Sequence, residues 1–417
     1  MALLLSACTE HRPAPSTLDT PDAALTVETA RAFYAAQPRY LHPVDPGGTP
    51  KPLADLRAAT CGQCHVDIYN EWKTSTHAHA WLDDAQFQEE LKKSTQPSND
   101  VGWMCVNCHT PLLEQRPQLV VALKDGALNQ PIYVENPTYD EALQLEAITC
   151  ATCHVRDGVI VGPYGDTPAP HPVKKGEVLT TSQLCMKCHQ AVARFDALNL
   201  LCAFNTGHEL AESPQGKAGQ TCQHCHMPEI TRPITALGTP PRKGRRHFFG
   251  GSLIPKHPKF AAELAPVAQH HPPGLEARWH HRPVTVSAGE QVTLTVDLIN
   301  ARSAHLLPTG DPERFLKVDL SAHDATGQIL GSNTLKIGAT YRWHPRAEKI
   351  ADNRLKPGEG HPLTLSFTAP KSGPVQITLT GAHWRISQEN FDYHHLEGRS
   401  VSHRVFLEES WSIDLAR

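Results

Sequence analysis

The stretch TCGQCHVDIYNEWKTSTHAHAW, residues 60–81, decides the fold, because it places two cysteines and a histidine in the order C-x-x-C-H. The same order recurs four more times, so that ten of the twelve cysteines lie in one repeated pattern. The five motifs are Cys61-x-x-Cys64-His65, Cys105-x-x-Cys108-His109, Cys150-x-x-Cys153-His154, Cys185-x-x-Cys188-His189 and Cys222-x-x-Cys225-His226. No other pattern in the chain repeats so strictly.

This spacing is that of covalent c-type haem attachment. Each thiol adds to one vinyl group of the porphyrin, and the adjacent histidine is thereby held under the iron as its proximal ligand. The sequence therefore predicts five covalently bound haem c groups, attached through the ten motif cysteines. The predicted proximal iron ligands are His65, His109, His154, His189 and His226.

Zinc sites and disulfides are the alternative interpretations of these cysteines. Zinc ribbons also use C-x-x-C pairs, but they need no histidine at the next position, and five pairs do not divide evenly into sites of four cysteines. With 26 histidines in 417 residues, the chance of finding one there five times is roughly one in a million by composition. A disulfide framework suits an exported chain, but it gives no reason for the histidine.

Composition limits the classes of partner and of fold that are compatible with the chain. The formal net charge of -4 at pH 7 provides no basic surface for nucleic acid. The 35 prolines indicate much loop and little long regular structure around the haems, where porphyrins would take over the role of a side-chain core. The excess of histidine over the five motif residues requires a separate explanation.

The first residues resemble the end of a bacterial lipoprotein signal. Leu-Ser-Ala-Cys at residues 5–8 resembles a lipobox, which is cut before a cysteine that then carries lipid. The apolar run is too short for a whole signal peptide, and a chance cysteine is the alternative. Attachment of haem c occurs outside the cytoplasm in bacteria, and no segment offers the roughly 18 apolar residues of a spanning helix. We expect an exported protein, periplasmic or at the outer membrane and cell surface, with a lipid anchor at Cys8.

Three regions follow from composition and pattern. Residues 1–25 combine a signal remnant with a tether rich in Pro, Thr, Ala and Asp. Residues 26–279 hold every motif, which leaves too little polypeptide for five separate domains, so the haems should share one core. Residues 280–417 alternate apolar and polar residues with period two, as in VTLTVDLIN and PVQITLTGAHW. The predicted fold is therefore multidomain: a mostly α-helical and irregular multihaem cytochrome domain followed by an all-β immunoglobulin-like sandwich of about seven strands.

The histidines that follow the first motif are placed for other haems. Residues 66–82 carry apolar and aromatic residues at three- and four-residue steps, which predicts a helix that packs on porphyrin. His77 would lie about 18 Å beyond His65 along such a helix. It therefore cannot return to the same iron, but it can reach a neighbouring haem as a distal ligand.

Histidine is the predicted sixth ligand of the irons. Methionine is the common alternative and raises the potential, but Met104, Met186 and Met227 each lie in or beside an attachment motif. Ligation by two histidines implies low potentials. The haem region and its edges offer, beyond the proximal residues, His77, His79, His171, His208, His224, His247, His257, His270, His271, His280 and His281.

Residues 61–80 resemble the start of multihaem cytochromes of the cytochrome c-554/c-prime family. After C-x-x-C-H the segment carries a tyrosine, a tryptophan and the pattern S-x-H-x-x-A, whose histidine is a distal ligand in that family. The resemblance, which covers about residues 50–250, implies His77 rather than His79 as a ligand. GPYGDTPAPHPV, FNTGHELAESP and RRHFFGG are similar to the family's other segments with distal histidines, which implies His171, His208 and His247.

The chain departs from the tetrahaem prototype of that family in its fifth motif and its C-terminal β-domain, so the ligand pairing cannot be transferred. ARSAHLLPTGDPERF, residues 301–315, resembles an H-x-x-P-T-G segment of β-domains appended to multihaem cytochromes. His305 is therefore either a residue that approaches a haem across the domain boundary or a structural histidine beside a tight turn.

Other notable residues have simpler interpretations. His79 and His257 are weaker ligand candidates, and His224 should be exposed. The pairs at 270–271, 280–281 and 394–395 should be solvated or at interfaces. Cys202 belongs to no motif and is interpreted as a buried apolar residue, with a reactive thiol or an intermolecular bridge as alternatives. The basic run Arg242, Lys243, Arg245 and Arg246 is either a solvated loop or a set of partners for haem propionates.

Three functions are compatible with these features. An electron-transfer relay would pass electrons between redox partner proteins through closely spaced, mostly bis-His haems, and no catalytic residue is then required. A multihaem reductase would use one open iron for a small nitrogen or sulfur compound. A subunit of an extracellular cytochrome polymer would self-associate, with the β-sandwich as a docking module. We favour the relay, because no unusual attachment motif marks a catalytic haem and enough histidines exist to close all five irons.

Overall fold

The computed structural model describes residues 25–165, 167–198 and 200–416. The expected lipobox with Cys8, and the predicted tether up to residue 24, lie outside the described residues. The α-helices within the described part are α1 (Val27–Ala35), α2 (Ala58–Gly62), α3 (Val66–Lys73), α4 (Ala85–Ser94), α5 (Gly102–His109), α6 (Glu141–Leu145), α7 (Cys150–His154), α8 (Gln183–His189), α9 (Thr206–Glu212), α10 (Pro214–Lys217), α11 (Cys222–His226), α12 (Ala261–Leu264) and α13 (Gln388–Tyr393).

The strands form several short sheets and two larger ones. They are β1 (Thr95–Gln96), β2 (Asn99–Asp100), β3 (Gln118–Leu123), β4 (Pro131–Glu135), β5 (Val155–Arg156), β6 (Val159–Gly162), β7 (Val173–Lys175), β8 (Gln190–Phe195), β9 (Leu200–Asn205), β10 (Glu229–Arg232), β11 (Arg242–Arg245), β12 (Leu275–Trp279), β13 (Thr285–Val286), β14 (Gln291–Asn300), β15 (Phe315–His323), β16 (Ile329–Arg342), β17 (Glu348–Asp352), β18 (Gly360–Thr368), β19 (Val375–Trp384) and β20 (His403–Leu415).

The described chain forms two compact units. The first unit contains the residues up to Gln63, His77–Leu82 and Phe87–Leu179, and the second contains Cys64–Thr76, Asp83–Gln86 and the residues from Thr180 onward. The second and third attachment motifs lie in the first unit, the fourth and fifth lie in the second, and the first motif spans the boundary. The domain limits drawn from the sequence, 26–279 and 280–417, stay predictions.

In the first unit, helix α1 packs against α5, the helix that carries the second attachment motif. Thr26 caps α1 by accepting the backbone N–H of Thr29, and the buried face of α1 carries Phe33 and Tyr34. The Phe33 ring meets Trp103 of α5 edge-on, with 5.9 Å between ring centroids. Trp103 also donates its indole N–H to the Leu128 carbonyl at 2.9 Å. These contacts fix α5, which carries the second motif.

The third motif is anchored through a small apolar core in the first unit. This core consists of Val44, Leu56, Leu112, Leu143, Ala151 and Val155. Ala151 stands between the two motif cysteines of α7, so burying it orients their helix. The buried Gln115 side chain satisfies the surrounding backbone, because its amide donates to the carbonyls of Leu143 and Ala147 at 2.8 and 2.7 Å.

A glycine allows close packing beside the fourth motif in the second unit. Helix α9 packs against α8 at Gly207, where an added Cβ would lie 2.6 Å from the Met186 side chain. Glycine, which has no side chain, accommodates this approach without a shift of Met186. Met186 is therefore packed against α9, which agrees with its exclusion as a distal ligand.

The C-terminal part of the second unit is rich in β-structure. One sheet has the order β13-β20-β19-β15-β16-β17 and another has the order β12-β14-β18. Both contribute to a single core, since Leu294 and Leu298 of β14 belong to the same buried cluster as Leu316 and Leu320 of β15. The burial along β14 alternates as the period-two pattern predicted.

Several elements differ from the sequence-based expectation. The helix predicted over 66–82 ends at Lys73, so the distance of about 18 Å from His65 to His77 along a helix does not apply. The haem region is less purely helical than predicted, because it contains the hairpins β3–β4, β8–β9 and β10–β11. Strands β12, β16 and β17 were also missed, and β16 is largely exposed, which weakens its alternation. In the described part of the chain, no helix combines the length and the apolar character needed to cross a membrane.

Candidate haem-binding sites

Four of the five attachment motifs lie on one short turn of helix. In α5, α7, α8 and α11 the motif ends the helix at its histidine, while the first motif runs from α2 into the residue that precedes α3. Residues at positions i, i+3 and i+4 lie on one helical face. The two thiols and the imidazole of a motif are therefore presented together, as thioether attachment and proximal ligation of one haem require.

Four of the proximal histidines each donate a hydrogen bond from Nδ1 to a backbone carbonyl. The Nδ1–H of His65 donates to the Ile234 carbonyl at 2.8 Å, that of His109 to Ala80 at 2.7 Å, that of His154 to Val161 at 2.9 Å, and that of His226 to Gly250. A metal-binding histidine commonly donates its other ring N–H to a carbonyl, which fixes its tautomer and orientation. The four rings are therefore in the tautomer whose Nε2 bears the lone pair, and the residues fit haem c.

A stacking contact with an aromatic ring also fixes the ring of His109. Phe87 stacks on it with 3.5 Å between ring centroids and 6° between the ring planes. Together with the hydrogen bond to Ala80, this contact leaves the imidazole one orientation.

Attachment cysteines of different motifs meet in pairs. The thiols of Cys61 and Cys150 are hydrogen-bonded, which lowers the pKa of Cys61 and raises that of Cys150. In the second unit, a hydrogen bond from the Cys185 thiol lowers the pKa of Cys222 to about 6. Burial raises the pKa of Cys105 to about 12. The first cysteines of motifs one and three, and those of motifs four and five, are therefore direct neighbours.

The predicted distal histidines lie in different surroundings. His77 and His79 are half-buried in the turn after α3, and His171 is half-buried before β7. His208 is exposed on α9, where its backbone N–H donates to the Gln190 side chain at 3.0 Å. His247 follows β11 and donates Nδ1–H to the Arg245 carbonyl at 2.9 Å. Their roles as iron ligands stay predictions.

Glu71 organises the segment that carries His247, and the sequence analysis did not identify it. Its carboxylate accepts two bonds from Arg232, at 2.6 and 2.9 Å, and one from Arg246 at 2.8 Å. It also accepts the backbone N–H of His247 at 2.8 Å. Arg245 donates to the carbonyls of Gln223 and Met227. Two arginines of the basic run thus bind protein groups, and its description as a freely solvated loop is wrong for them.

A cluster of histidines surrounds the fifth motif in the second unit. The His305 ring lies nearly parallel to that of His226, at 9°, with 6.2 Å between centroids. Burial lowers the pKa of His305 to about 4, and His226 contributes. Residue His189 is exposed, yet desolvation is the main cause that lowers its pKa to about 4, and the charges of His226, Arg314 and His305 lower it further.

The exposure of the remaining histidines agrees with the sequence-based prediction for some residues and differs from it for others. His224 is exposed, as predicted, and its Nδ1 accepts the Thr221 N–H at 2.9 Å, which caps α11. His270, His280, His281 and His395 are exposed. His394 is buried, so the prediction of a solvated side chain is wrong for it, and the half-buried His271 packs against Gly250. His257 caps a short turn by accepting the Lys259 N–H at 3.1 Å, and Cys202 is half-buried in β9.

The repeated motifs, the shared hydrogen bond of the proximal rings and the fold define a chain that resembles multihaem c-type cytochromes and supports covalently bound haem c. Residues 60–155 match the family model of cytochrome c554 and c-prime, as predicted from residues 61–80. The fold is similar to that of a penta-heme cytochrome c552 from Thermochromatium tepidum, with a TM-score of 0.58 and 20% identity over 87% of this chain and 100% of that chain.

Other solved structures are much less similar to the chain. The CARDB domain of a Pyrococcus furiosus protein, in complex with di-metal ions, shares 15% identity over 34% of this chain and 85% of that chain, with a TM-score of only 0.19. No curated protein sequence matches the chain.

Proposed function

We propose that the protein is an exported pentahaem c-type cytochrome that relays single electrons between redox partner proteins through closely spaced, mostly bis-His haems. The five attachment motifs supply the haems, and the surrounding chain tunes their potentials through ligation, burial and hydrogen bonding. The similar Thermochromatium tepidum protein, which carries five haems by its name, supports this haem count. A periplasmic or cell-surface location, with a lipid anchor at Cys8, is part of the proposal.

The pairwise contact of attachment cysteines carries this proposal. Thioether bonds would hold each porphyrin at its motif, so two motifs whose free thiols lie within hydrogen-bonding distance would bring the attachment edges of two haems together. Cys61 with Cys150, and Cys185 with Cys222, are such contacts. Adjacent haems are what a relay requires, whereas a haem that only stores one electron has no need of a neighbour.

The hydrogen bonding of a predicted distal histidine supports irons that have two histidine ligands. His247 donates its Nδ1–H to a carbonyl, as four of the proximal histidines do, and this is the tautomer that an iron-binding histidine requires. Two sheets around one core in the β-rich part support our proposal that it is an immunoglobulin-like sandwich. We assign it a docking role toward partner proteins or further copies of the chain.

The test combines mass spectrometry with electron paramagnetic resonance of the fully oxidised protein. The expected mass is that of five covalent haems, and the expected spectrum is entirely low-spin. A high-spin ferric signal from about one haem in five, shifted by nitrite or hydroxylamine, would replace the relay with the reductase. A mass that corresponds to fewer than five haems would contradict the pentahaem proposal.

A further inference from the structure

We propose that His305, in the loop between β14 and β15, is the sixth ligand of the iron whose haem is attached at Cys222 and Cys225. This proposal rests on the proposed function in one respect, because it requires a haem at the fifth motif. It assigns the β-rich part of the chain a direct role in a haem site.

The distance and the angle between the two rings fit two ligands on opposite sides of one metal. The centroids of His226 and His305 are 6.2 Å apart and their planes differ by 9°. Rings in face contact are much closer, as the 3.5 Å between Phe87 and His109 shows. Two imidazoles that share one metal, each with a nitrogen–metal bond of about 2 Å, have their centroids about 6 Å apart.

Both rings keep the same nitrogen for metal. His226 donates Nδ1–H to the Gly250 carbonyl, and His305 donates Nδ1–H to the Leu306 carbonyl at 2.9 Å. A carbonyl oxygen only accepts, so each Nδ1 carries the proton and each Nε2 has a lone pair. This is the tautomer that an iron-binding histidine requires.

The loop that carries His305 is held rigidly from the β side. The buried Asn300 side chain donates to the carbonyls of His305 and Leu355, both at 3.0 Å. Leu307 exchanges two backbone hydrogen bonds with Leu355, at 2.9 and 3.0 Å. A ligand on such a backbone needs little ordering when it binds metal.

The same loop is tied to the haem region. Thr309 donates its hydroxyl to Glu209 of α9 at 2.6 Å, and Arg354 binds the other Glu209 oxygen at 3.2 Å. The Glu209 side chain is only 6% exposed. The sequence H-x-x-P-T-G therefore places a candidate ligand and its anchor four residues apart.

His271 is a competing histidine near His226. Its ring packs on Gly250, where an added Cβ would lie 2.2 Å from the ring. Gly250 is the residue whose carbonyl receives Nδ1–H from His226. His271 therefore packs against the residue that binds the Nδ1 side of the His226 ring, whereas iron would be bound by Nε2.

The test uses the oxidised holoprotein and three variants. His305→Ala should retain the wild-type number of haems by mass and convert one ferric haem from low spin to high spin, and added imidazole should restore the low-spin signal. His361→Ala is the matched control, because this half-buried β18 histidine bonds a backbone carbonyl, that of Asn353, at 3.0 Å. In a Cys222→Ala/Cys225→Ala background, which removes the fifth haem, His305→Ala should add no high-spin signal.

Two results would overturn the proposal: a wild-type spectrum for His305→Ala, or a new high-spin signal that persists in the background without the fifth haem. His305→Met covers the case in which the alanine variant does not fold. It should remain low-spin and raise the potential of one haem, and unchanged potentials would also refute the assignment. The wild-type haem count is measured in the same samples, so failure of the pentahaem proposal is recognised separately.

Discussion

The carboxylate of Glu71 is expected to be a major source of stability in the second unit. Its side chain is 6% exposed, and the side chains of its partners Arg232 and Arg246 are 13% and 24% exposed. Removing one member of a buried ion pair costs about 3–5 kcal/mol, because the other charge is left buried without compensation. The two guanidinium groups keep some contact with water, so Glu71→Gln should cost about 3 kcal/mol, near the lower end of that range.

The matched control lies in the hairpin that pairs with Glu71. Glu229 is a carboxylate of β10 with 66% of its side chain exposed, and it meets Arg245 at 3.5 Å. Exposed pairs contribute about 0–1 kcal/mol, so Glu229→Gln should be nearly neutral. Both variants change one carboxylate to its amide, and they differ in burial.

Thermal unfolding followed by circular dichroism distinguishes the two. A loss of about 3 kcal/mol corresponds to a drop of roughly 5–10 °C in Tm for a unit of about 250 residues. Because Glu71 also holds the backbone N–H of His247, Glu71→Ala should in addition disturb the visible spectrum if His247 binds iron. Equal Tm values for Glu71→Gln and Glu229→Gln, within about 1 °C, would refute the reasoning.

Three further outcomes are expected. His77→Ala should make one haem high-spin while the mass still shows five haems, and an unchanged spectrum would remove His77 from the ligands. Cys222→Ala should prevent normal attachment at the fifth site, and a complete thioether pattern there would contradict the attachment scheme. Burial raises the pKa of Glu114 from 4.5 to about 7, so the folded state holds its proton more tightly than the unfolded state. Stability should therefore fall as pH rises from about 4.5 to about 7, and Glu114→Gln should flatten that slope in pH-dependent melts.

A docking site for propionates cannot be read from basic residues alone. Residues 242–246 include four cationic side chains. From the sequence, these side chains were expected either to be solvated or to bind haem propionates. In the structure Arg246 binds Glu71, a residue far away in sequence, and Arg245 binds backbone carbonyls. The partner of a charge depends on which segments pack together, and local sequence does not contain that information.

The sequence by itself determined the features that depend only on residues close together in the chain. Attachment needs two thiols and a histidine on one helical turn, so the motifs identify all five candidate haem sites without tertiary information. The period-two alternation likewise located β14, β15, β18, β19 and β20, because one face of each strand is buried. The resemblance read from residues 61–80 was confirmed over residues 60–155.

Only the tertiary structure decided which residues meet across long stretches of chain. His305 follows His226 by nearly eighty residues, and no spacing rule relates them, yet their rings lie 6.2 Å apart. The contact between Cys61 and Cys150, and that of Glu71 with Arg232, arise in the same way. Such contacts form because burying apolar surface brings distant segments together, and their hydrogen bonds then fix the partners.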